Sequence, residues 1–336
     1  MKKINWGIIG LGNIAQSFSE GFLYAENSRL LAVSSKNKSK LELFKNITVL
    51  TVTHNSENVI KKFLRTLDIN LKLFVVDNES KDKTRSILKK YPHKSKKLVF
   101  NKKGLGFGSA ANIGFKKIKT KYILLMNPDS QINLTSISKL YQKAKIYTNA
   151  AILAPLHRNH KGMVHIPTRP FFFNKQNDLL NMQNFYGDCS VEYLSGAVML
   201  LDRKKIEKIG FFDENFFLYY EDIDLVKRLL NNNNNIYKIP VKYHSEGASH
   251  NKRYNYPLEL NRNWHYMWSK FYYIKKHKGY FFSLILTLPF FLRSIFKMIY
   301  NFNNPEKRNI YYARFSGLLN SYRLKKSWYR PNLKIK

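Results

Sequence analysis

The sequence predicts an α/β protein built on a mostly parallel sheet flanked by helices, with a βαβ fragment in front and a basic, mainly helical region behind. Three observations carry this expectation. Apolar runs of strand length each end in a polar loop and lead into a helical pattern, the order that lays parallel strands under crossover helices. Acids and asparagines gather at the carboxyl ends of those runs, the edge at which open α/β sheets bind ligands. Toward the end the character changes: residues 252–336 hold 18 Lys and Arg, with Glu259 and Glu306 as the acids.

At the N-terminus, residues 6–9 form a short buried-type strand, Gly10-Leu11-Gly12-Asn13-Ile14-Ala15 opens a helix, and residues 29–34 make a second strand. The glycine spacing suits a dinucleotide-binding turn, where the first glycine permits the bend and the second lets backbone approach a pyrophosphate. Residues 1–45 resemble the N-terminus of the Gfo/Idh/MocA family of NAD(P)-dependent oxidoreductases. The resemblance stops after Leu41-Glu42-Leu43-Phe44, and a βαβ unit alone cannot enclose a dinucleotide. A truncated fragment is expected, with no NAD despite Gly10, Gly12 and Ala15.

From Ile47 the pattern restarts. Residues 47–52 form a buried strand ending in Thr53-His54-Asn55-Ser56-Glu57-Asn58, and a helix follows to about Thr66. A strand over 71–76 runs into Asp77-Asn78-Glu79-Ser80-Lys81-Asp82. After a strand at 98–100, the loop Gly104-Leu105-Gly106-Phe107-Gly108 leads into a helix over 110–118. The strand 122–126 stops at Asn127-Pro128-Asp129-Ser130, where proline ends the strand and fixes the backbone before Asp129. A helix starts near Asp222, the asparagines 231–235 form a loop, and a strand covers 236–239. Residues 279–292 give 14 uncharged positions interrupted by Pro289. A bilayer-spanning helix needs about 20. An interfacial, re-entrant or buried segment is therefore expected rather than a transmembrane span.

Composition narrows the classes. The 336 residues carry 58 Lys and Arg against 22 Asp and Glu, a net charge of +36, with 44% hydrophobic and 15% aromatic residues. So many buriable side chains exclude a disordered tail protein. Cys189 is the one cysteine, which excludes an intrachain disulfide framework and a cysteine-based zinc cluster and fits a reducing compartment. The start meets Gly10 and Gly12 too soon to supply a secretory apolar region, so no cleaved signal is expected. The positive charge calls for a nucleic acid, an anionic membrane or a phosphorylated substrate.

Polar loops at the strand ends offer the chemistry. A carboxylate directly after a buried strand can accept bonds from a base or ribose, or bind a hard divalent cation, although aspartate there also serves as a turn or cap residue. The matching stretches are Thr53-His54-Asn55, residues 75–82, Gly106 through Gly114, Leu125-Met126-Asn127-Pro128-Asp129, Ser195-Gly196-Ala197, Phe212 through Phe217, and Glu221-Asp222-Ile223-Asp224-Leu225. Together, in this order over about 47–251, they resemble the family 2 glycosyltransferases with a GT-A nucleotide-diphospho-sugar transferase fold. The branch is that of bacterial rhamnosyltransferases of surface-polysaccharide assembly.

The resemblance implies roles for these residues. Asp77 would hold the donor's base, with Thr53, Asn55 and Asn78 beside it. Gly106, Phe107, Gly108 and Asn112 would pass backbone close to the nucleotide. Asp129 stands at the last position of the family's Asp-x-Asp metal motif, whose first position is Asn127 here. A divalent metal, Mg or Mn, then rests on Asp129, with His244 as a further ligand and His250 as its competitor. Asp222 would be the catalytic base and Glu221 would orient the acceptor, while the pair also reads as the acidic first turn of a helix.

The expected domains are 1–45, a GT-A domain at 46–251, and a basic aromatic helical region at 252–336 that lies on anionic lipid. The expected activity is inverting transfer of a sugar, rhamnose in the closest branch, to a lipid-linked or growing surface glycan at the inner face of the plasma membrane. Two alternatives remain from the residues: a basic nucleic-acid-binding protein, or a transferase inactivated by fusion at residue 45.

Overall fold

The computed structural model describes residues 4–9, 28–34, 38–156, 187–194, 197–245 and 255–330. The chain divides into two compact units. Residues 1–104, 110–211 and 226–250 form the first, and residues 105–109, 212–225 and 251–336 form the second.

In the first unit β1 (Ile4–Ile9) and β2 (Ser28–Ser34) pair in parallel as a two-stranded sheet. The turn expected at Gly10, Gly12 and Ala15 lies outside the described residues. α1 (Lys38–Asn46) runs directly into β3 (Ile47–Thr53). Its Leu43 and Phe44 are buried in one apolar core with Ile47, Val49 and Tyr141. Glu42 accepts hydrogen bonds from Tyr141 Oη (2.9 Å) and Lys145 Nζ (3.2 Å). The segment expected to close a separate fragment at residue 45 is thus anchored in the core that the strands build.

Among the described residues the main sheet has eight strands, in the order β5–β4–β3–β6–β10–β8–β11–β9. β4 (Lys72–Asp77) and β6 (Tyr122–Met126) run parallel to β3, and β5 (Lys96–Phe100) parallel to β4. β10 (Val198–Asp202) inserts antiparallel between β6 and β8 (Ala150–Pro155). β11 (Asn235–Ile239) returns to parallel pairing with β8, and β9 (Cys189–Ser190) closes that edge. Every position of β3 and β6 is buried, as strands covered on both faces demand.

α2 (Glu57–Thr66) contributes Val59, Ile60, Phe63 and Leu64, an apolar stripe at helical spacing. Each such side chain, once covered, stabilises the unit by about 1.5–3 kcal/mol. α3 (Thr84–Lys90) follows β4. α5 (Leu134–Ile146) is capped by Asn133, whose side chain accepts from Ser136 N. α4 (Phe107–Lys117) begins three residues before the expected start, so Phe107 and Gly108 stand in a helical first turn rather than in a loop. α6 (Arg203–Lys208) and α7 (Glu221–Asn231) precede β11. A separate antiparallel ribbon joins β7 (Ser130–Ile132) to β12 (Tyr243–Ser245).

The second unit is dominated by α8 (Asn255–Lys278), α9 (Tyr280–Tyr300) and α10 (Pro305–Tyr322). α8 and α10 approach closely because Gly317 has no side chain: a Cβ there would collide with the Trp264 carbonyl. Trp264 Nε1 donates to Ser316 Oγ (3.2 Å) and Trp268 Nε1 to Lys325 O (2.9 Å). His265 Nε2 lies 2.9 Å from Tyr329 O and its Nδ1 2.9 Å from Ser327 Oγ. Burial pushes this imidazole down to about 3, so it stays neutral, donating through Nε2 and accepting through Nδ1. α9 continues through Pro289, which was expected to interrupt it.

Candidate functional site

In the first unit the carboxyl edge of the sheet is a polar network. Thr53 and Asp77 stand opposite each other across β3 and β4, and Asp77 opposite Phe100 across β4 and β5. Asp77 is fully buried. Its Oδ2 accepts from Thr53 Oγ1 (3.0 Å), and its Oδ1 from Ser80 N (3.1 Å) and from Arg85 Nε. Arg85 Nη2 also donates to Asn101 O (2.6 Å). A buried carboxylate needs such partners, and here two come from the loop and helix that follow it and one from the neighbouring strand.

Asn55 holds a left-handed backbone (φ 50°). Its N donates to Ser80 Oγ (2.9 Å) and its Oδ1 accepts from Lys81 N (2.8 Å), tying the β3 loop to the β4 loop. Asn78 N donates to Thr53 O (2.7 Å), and Asn78 Oδ1 accepts from Asn101 Nδ2 (3.2 Å). Glu79, also left-handed (φ 67°), accepts from Gly104 N through Oε2 (2.7 Å) and meets Lys81 Nζ at 3.0 Å. The Lys81 hydrogen bond, then that of Gly104, holds its carboxyl below the usual range. Thr53, Asn55, Asp77 and Asn78 are thereby brought into one cluster.

After β6, Asn127 N donates to Ala197 O (2.8 Å) and Asn127 O accepts from Ser130 N (3.1 Å), the turn that presents Asp129. Asp129 is buried and immediately precedes β7. The β7–β12 register sets His244 opposite Gln131 and Ser245 opposite Ser130. His244 is exposed, and Asp129 lies just before the first paired residue of this ribbon. Asn112 is buried within α4. Ser195, Gly196 and His250 lie outside the described residues.

A divalent cation can be tested against this donor set. No group of three His, Cys, Asp or Glu side chains clusters among the described residues. One carboxylate and one imidazole nevertheless suffice for a cation that takes most of its shell from diphosphate oxygens and water. Asp129 and His244 are the donors in this region that such a cation would use.

In the second unit the glycines serve a purpose of their own. Gly106 has φ 87°, and a Cβ there would strike the Phe217 backbone, its Cα at 2.8 Å. Phe107 N donates to Phe217 O (3.1 Å), and a Cβ on Gly108 would touch Phe212 and Glu221. On the side where a Cβ would stand, these glycines closely approach the chain's own aromatic stretch. Glu221 is buried at the head of α7 with Oε2 unpartnered among the described residues, and Asp222 beside it is half-buried. Burial, then the Asp222 charge, raises the Glu221 carboxyl well above its ordinary value of 4.5. A protonated and an ionisable carboxyl therefore stand side by side.

The sequence pattern alone gives Asp213 and Asp224 no role. Asp224 is fully buried and takes Lys276 Nζ (2.9 Å) and His277 Nε2 (2.9 Å). Asp213 takes Lys276 Nζ (2.7 Å) and Tyr272 Oη (3.1 Å). These bonds bind the 212–225 segment to the end of α8. Arg85 and Asn101 were missed as well. Only the acid side of each pair carried a local signal.

Residues 48–210 match the profile of Glycosyl transferase family 2. This stretch of the chain is similar to a family 2 glycosyltransferase domain. Over 216 residues it is 24% identical to the low-salt glycan biosynthesis hexosyltransferase Agl10 of Haloferax volcanii, covering 59% of this chain and 66% of that protein. The chain thus spans just under two thirds of the length of that relative. It is 26% identical over 216 residues to the N-acetylglucosaminyl-diphospho-decaprenol L-rhamnosyltransferase of Mycobacterium tuberculosis, covering 54% of this chain and 70% of that one. Among solved structures, a mannosyltransferase from Pyrobaculum calidifontis in complex with GDP-Man and Mn²⁺ aligns with TM-score 0.49 at 11% identity, covering 82% of this chain and 86% of the other. The matched residues include β3, β4 and β6 with Asp77 and Asp129, while Glu221, Asp222 and His244 lie beyond them.

Proposed function

We propose that this chain transfers a sugar, with inversion, from a nucleotide diphosphate donor to a lipid-diphosphate-linked acceptor of surface-glycan assembly. The observation that carries the reading is the family 2 match over 48–210, which takes in the polar edge where Asp77 and Asp129 stand. The sugar is rhamnose, a choice supported by the name of the mycobacterial relative. The transfer domain covers 46–251, and 252–336 hold the chain at the cytoplasmic face of the membrane that carries the acceptor.

Thr53, Asn55, Asp77 and Asn78 bind the nucleoside. Asp77 does so as a rigid acceptor, its carboxylate fixed by Arg85 and Ser80. Gly106, Phe107, Gly108, Asn112 and Asn127 line the rest of the nucleotide. Asp129 and His244 hold a divalent cation, which when bound supplies neutralisation of the charge on the departing diphosphate. Asp222 accepts the acceptor hydroxyl's proton as the new bond forms at the anomeric carbon and the bond to the diphosphate breaks. Glu221, kept protonated by burial, donates a hydrogen bond that orients the acceptor.

Asp222→Asn tests the assignment. Turnover is expected to fall at least about a hundredfold, the low end for losing a general base. Nucleotide-sugar binding should persist, read as a melting-temperature increase with UDP-, dTDP- or GDP-sugars and Mn²⁺ or Mg²⁺. Near-native turnover in this variant sinks the role of Asp222; no stabilisation by any nucleotide sugar sinks the reading as a whole.

A further inference from the structure

α9 is built inside out. Phe281, Leu288, Leu292 and Ile299 lie within an arc of about 40° around the helix axis and are 74%, 49%, 56% and 70% exposed. On the opposite side Ser283, Thr287 and Ser294 are 0%, 0% and 2% exposed. Their hydroxyls are satisfied within the helix, Ser283 by Tyr280 O, Thr287 by Ser283 O and Ser294 by Phe290 O. A helix facing water shows the reverse pattern. Leu284, Phe290 and Phe291 complete the inward side against Met267 and Phe271 of α8 and Leu318 of α10.

We infer that α9 lies in the plane of an anionic lipid bilayer, its outer stripe sunk among the acyl chains and its basic neighbours on the headgroup phosphates. The inference rests on the proposed transfer to a lipid-linked acceptor for its purpose, but its geometry stands alone. Charge argues for lipid rather than for a second copy of the chain. α9 has no acid, Arg293 and Lys297 lie on its flank, and Lys275 and Lys278 precede it. Cationic side chains rest on aromatic rings at both ends: Lys278 on Phe282 (5.4 Å), Lys297 on Tyr300 (4.9 Å) and Arg308 on Phe302 (5.7 Å). Long basic side chains take this posture when the stem is in apolar surroundings and the head in a polar layer.

The helix has the length and composition to cross a membrane. Its inward face, however, packs on α8 and α10, which carry Arg262, Lys270, Arg308 and Arg314 and would have to enter the hydrocarbon with it. The in-plane setting leaves those charges at the surface.

The test is flotation of the full chain with phosphatidylcholine vesicles, with and without phosphatidylglycerol. The wild type is expected to float with the anionic vesicles. Leu288→Asp and Leu292→Asp should each weaken partitioning roughly tenfold, as removal of one buried apolar side chain implies. Both positions are exposed, so the melting temperature should hold; Leu288→Ser and Ile299→Ser replace them if an aspartate variant fails to fold. In a Cys189→Ser background, single cysteine probes at 281, 288 and 299 should report equal depth against depth-placed quencher lipids. Graded depth from one end to the other, wild-type partitioning by the stripe variants, or a stable dimer that protects the stripe would each overturn the inference. Transfer to a water-soluble acceptor, measured in parallel, separates the two readings. A stripe variant that transfers normally but no longer floats supports docking, whereas a wild type that floats yet moves no sugar supports docking and defeats the transfer reading.

Discussion

At the scale of single residues, Glu221 shows how burial sets chemistry. Its carboxyl is enclosed next to Asp222, and both burial and the neighbouring charge oppose ionisation. The unfolded chain releases this proton near 4.5, while the folded chain keeps it to higher pH. Between those values the unfolded state binds fewer protons, so stability falls as pH rises. Glu221→Gln keeps the shape and hydrogen-bond donor without the titration. The variant should therefore be more stable than wild type at about pH 8, by more than about 1.4 kcal/mol, the equivalent of one pKa unit. The two proteins should converge below 4.5, where both carry a neutral side chain. Thermal melts across this range check it, and parallel pH profiles for the two proteins would refute a buried, raised carboxyl.

At the scale of elements, α1 is an N-terminal anchor of the sheet's core. Leu43 is 1% exposed and Phe44 lies in the same core cluster as the sheet strands. Removing residues 1–37 should leave urea stability nearly unchanged, whereas Leu43→Ala should cost about 2–5 kcal/mol, the range for deleting a buried leucine side chain. A shortened chain starting at residue 46 would lose both anchors. If Leu43→Ala melts at the wild-type urea midpoint, α1 is not part of this core. The strands themselves were legible because their apolar runs are buried along their whole length, as in β3 and β6. Local pattern could not supply the orientation of β10, since antiparallel insertion between β6 and β8 is a property of chain path rather than of the run 198–201. The start of α4 was also misplaced. The glycines at 106 and 108 looked like loop, but a close approach to Phe217 and Phe212 uses them as the entrance to a helix. In the site, Asp77 and Asp129 announced themselves at strand ends, while Arg85 and the Asp224 partners Lys276 and His277 did not. A cation's role depends on the acid it meets, and that acid can be about fifty residues away.

At the scale of the whole molecule, a net charge of +36 guarantees some attraction to any polyanion, so binding to nucleic acid or to anionic vesicles in dilute buffer says little by itself. The two partners separate with salt. Contact with nucleic-acid phosphates is driven by counterion release and weakens steeply and linearly on a logarithmic salt scale. Insertion of the α9 stripe adds burial of Phe281, Leu288, Leu292 and Ile299, a contribution that salt does not screen. Vesicle binding should therefore fall with salt to a residual plateau, and generic duplex DNA binding should fall to nothing. Leu292→Asp should remove the plateau while leaving the electrostatic part of the curve in place. Co-sedimentation and DNA retention over one salt series measure both. DNA binding that outlasts vesicle binding would show that the basic region reads phosphate backbones, and the membrane role of α9 would fall.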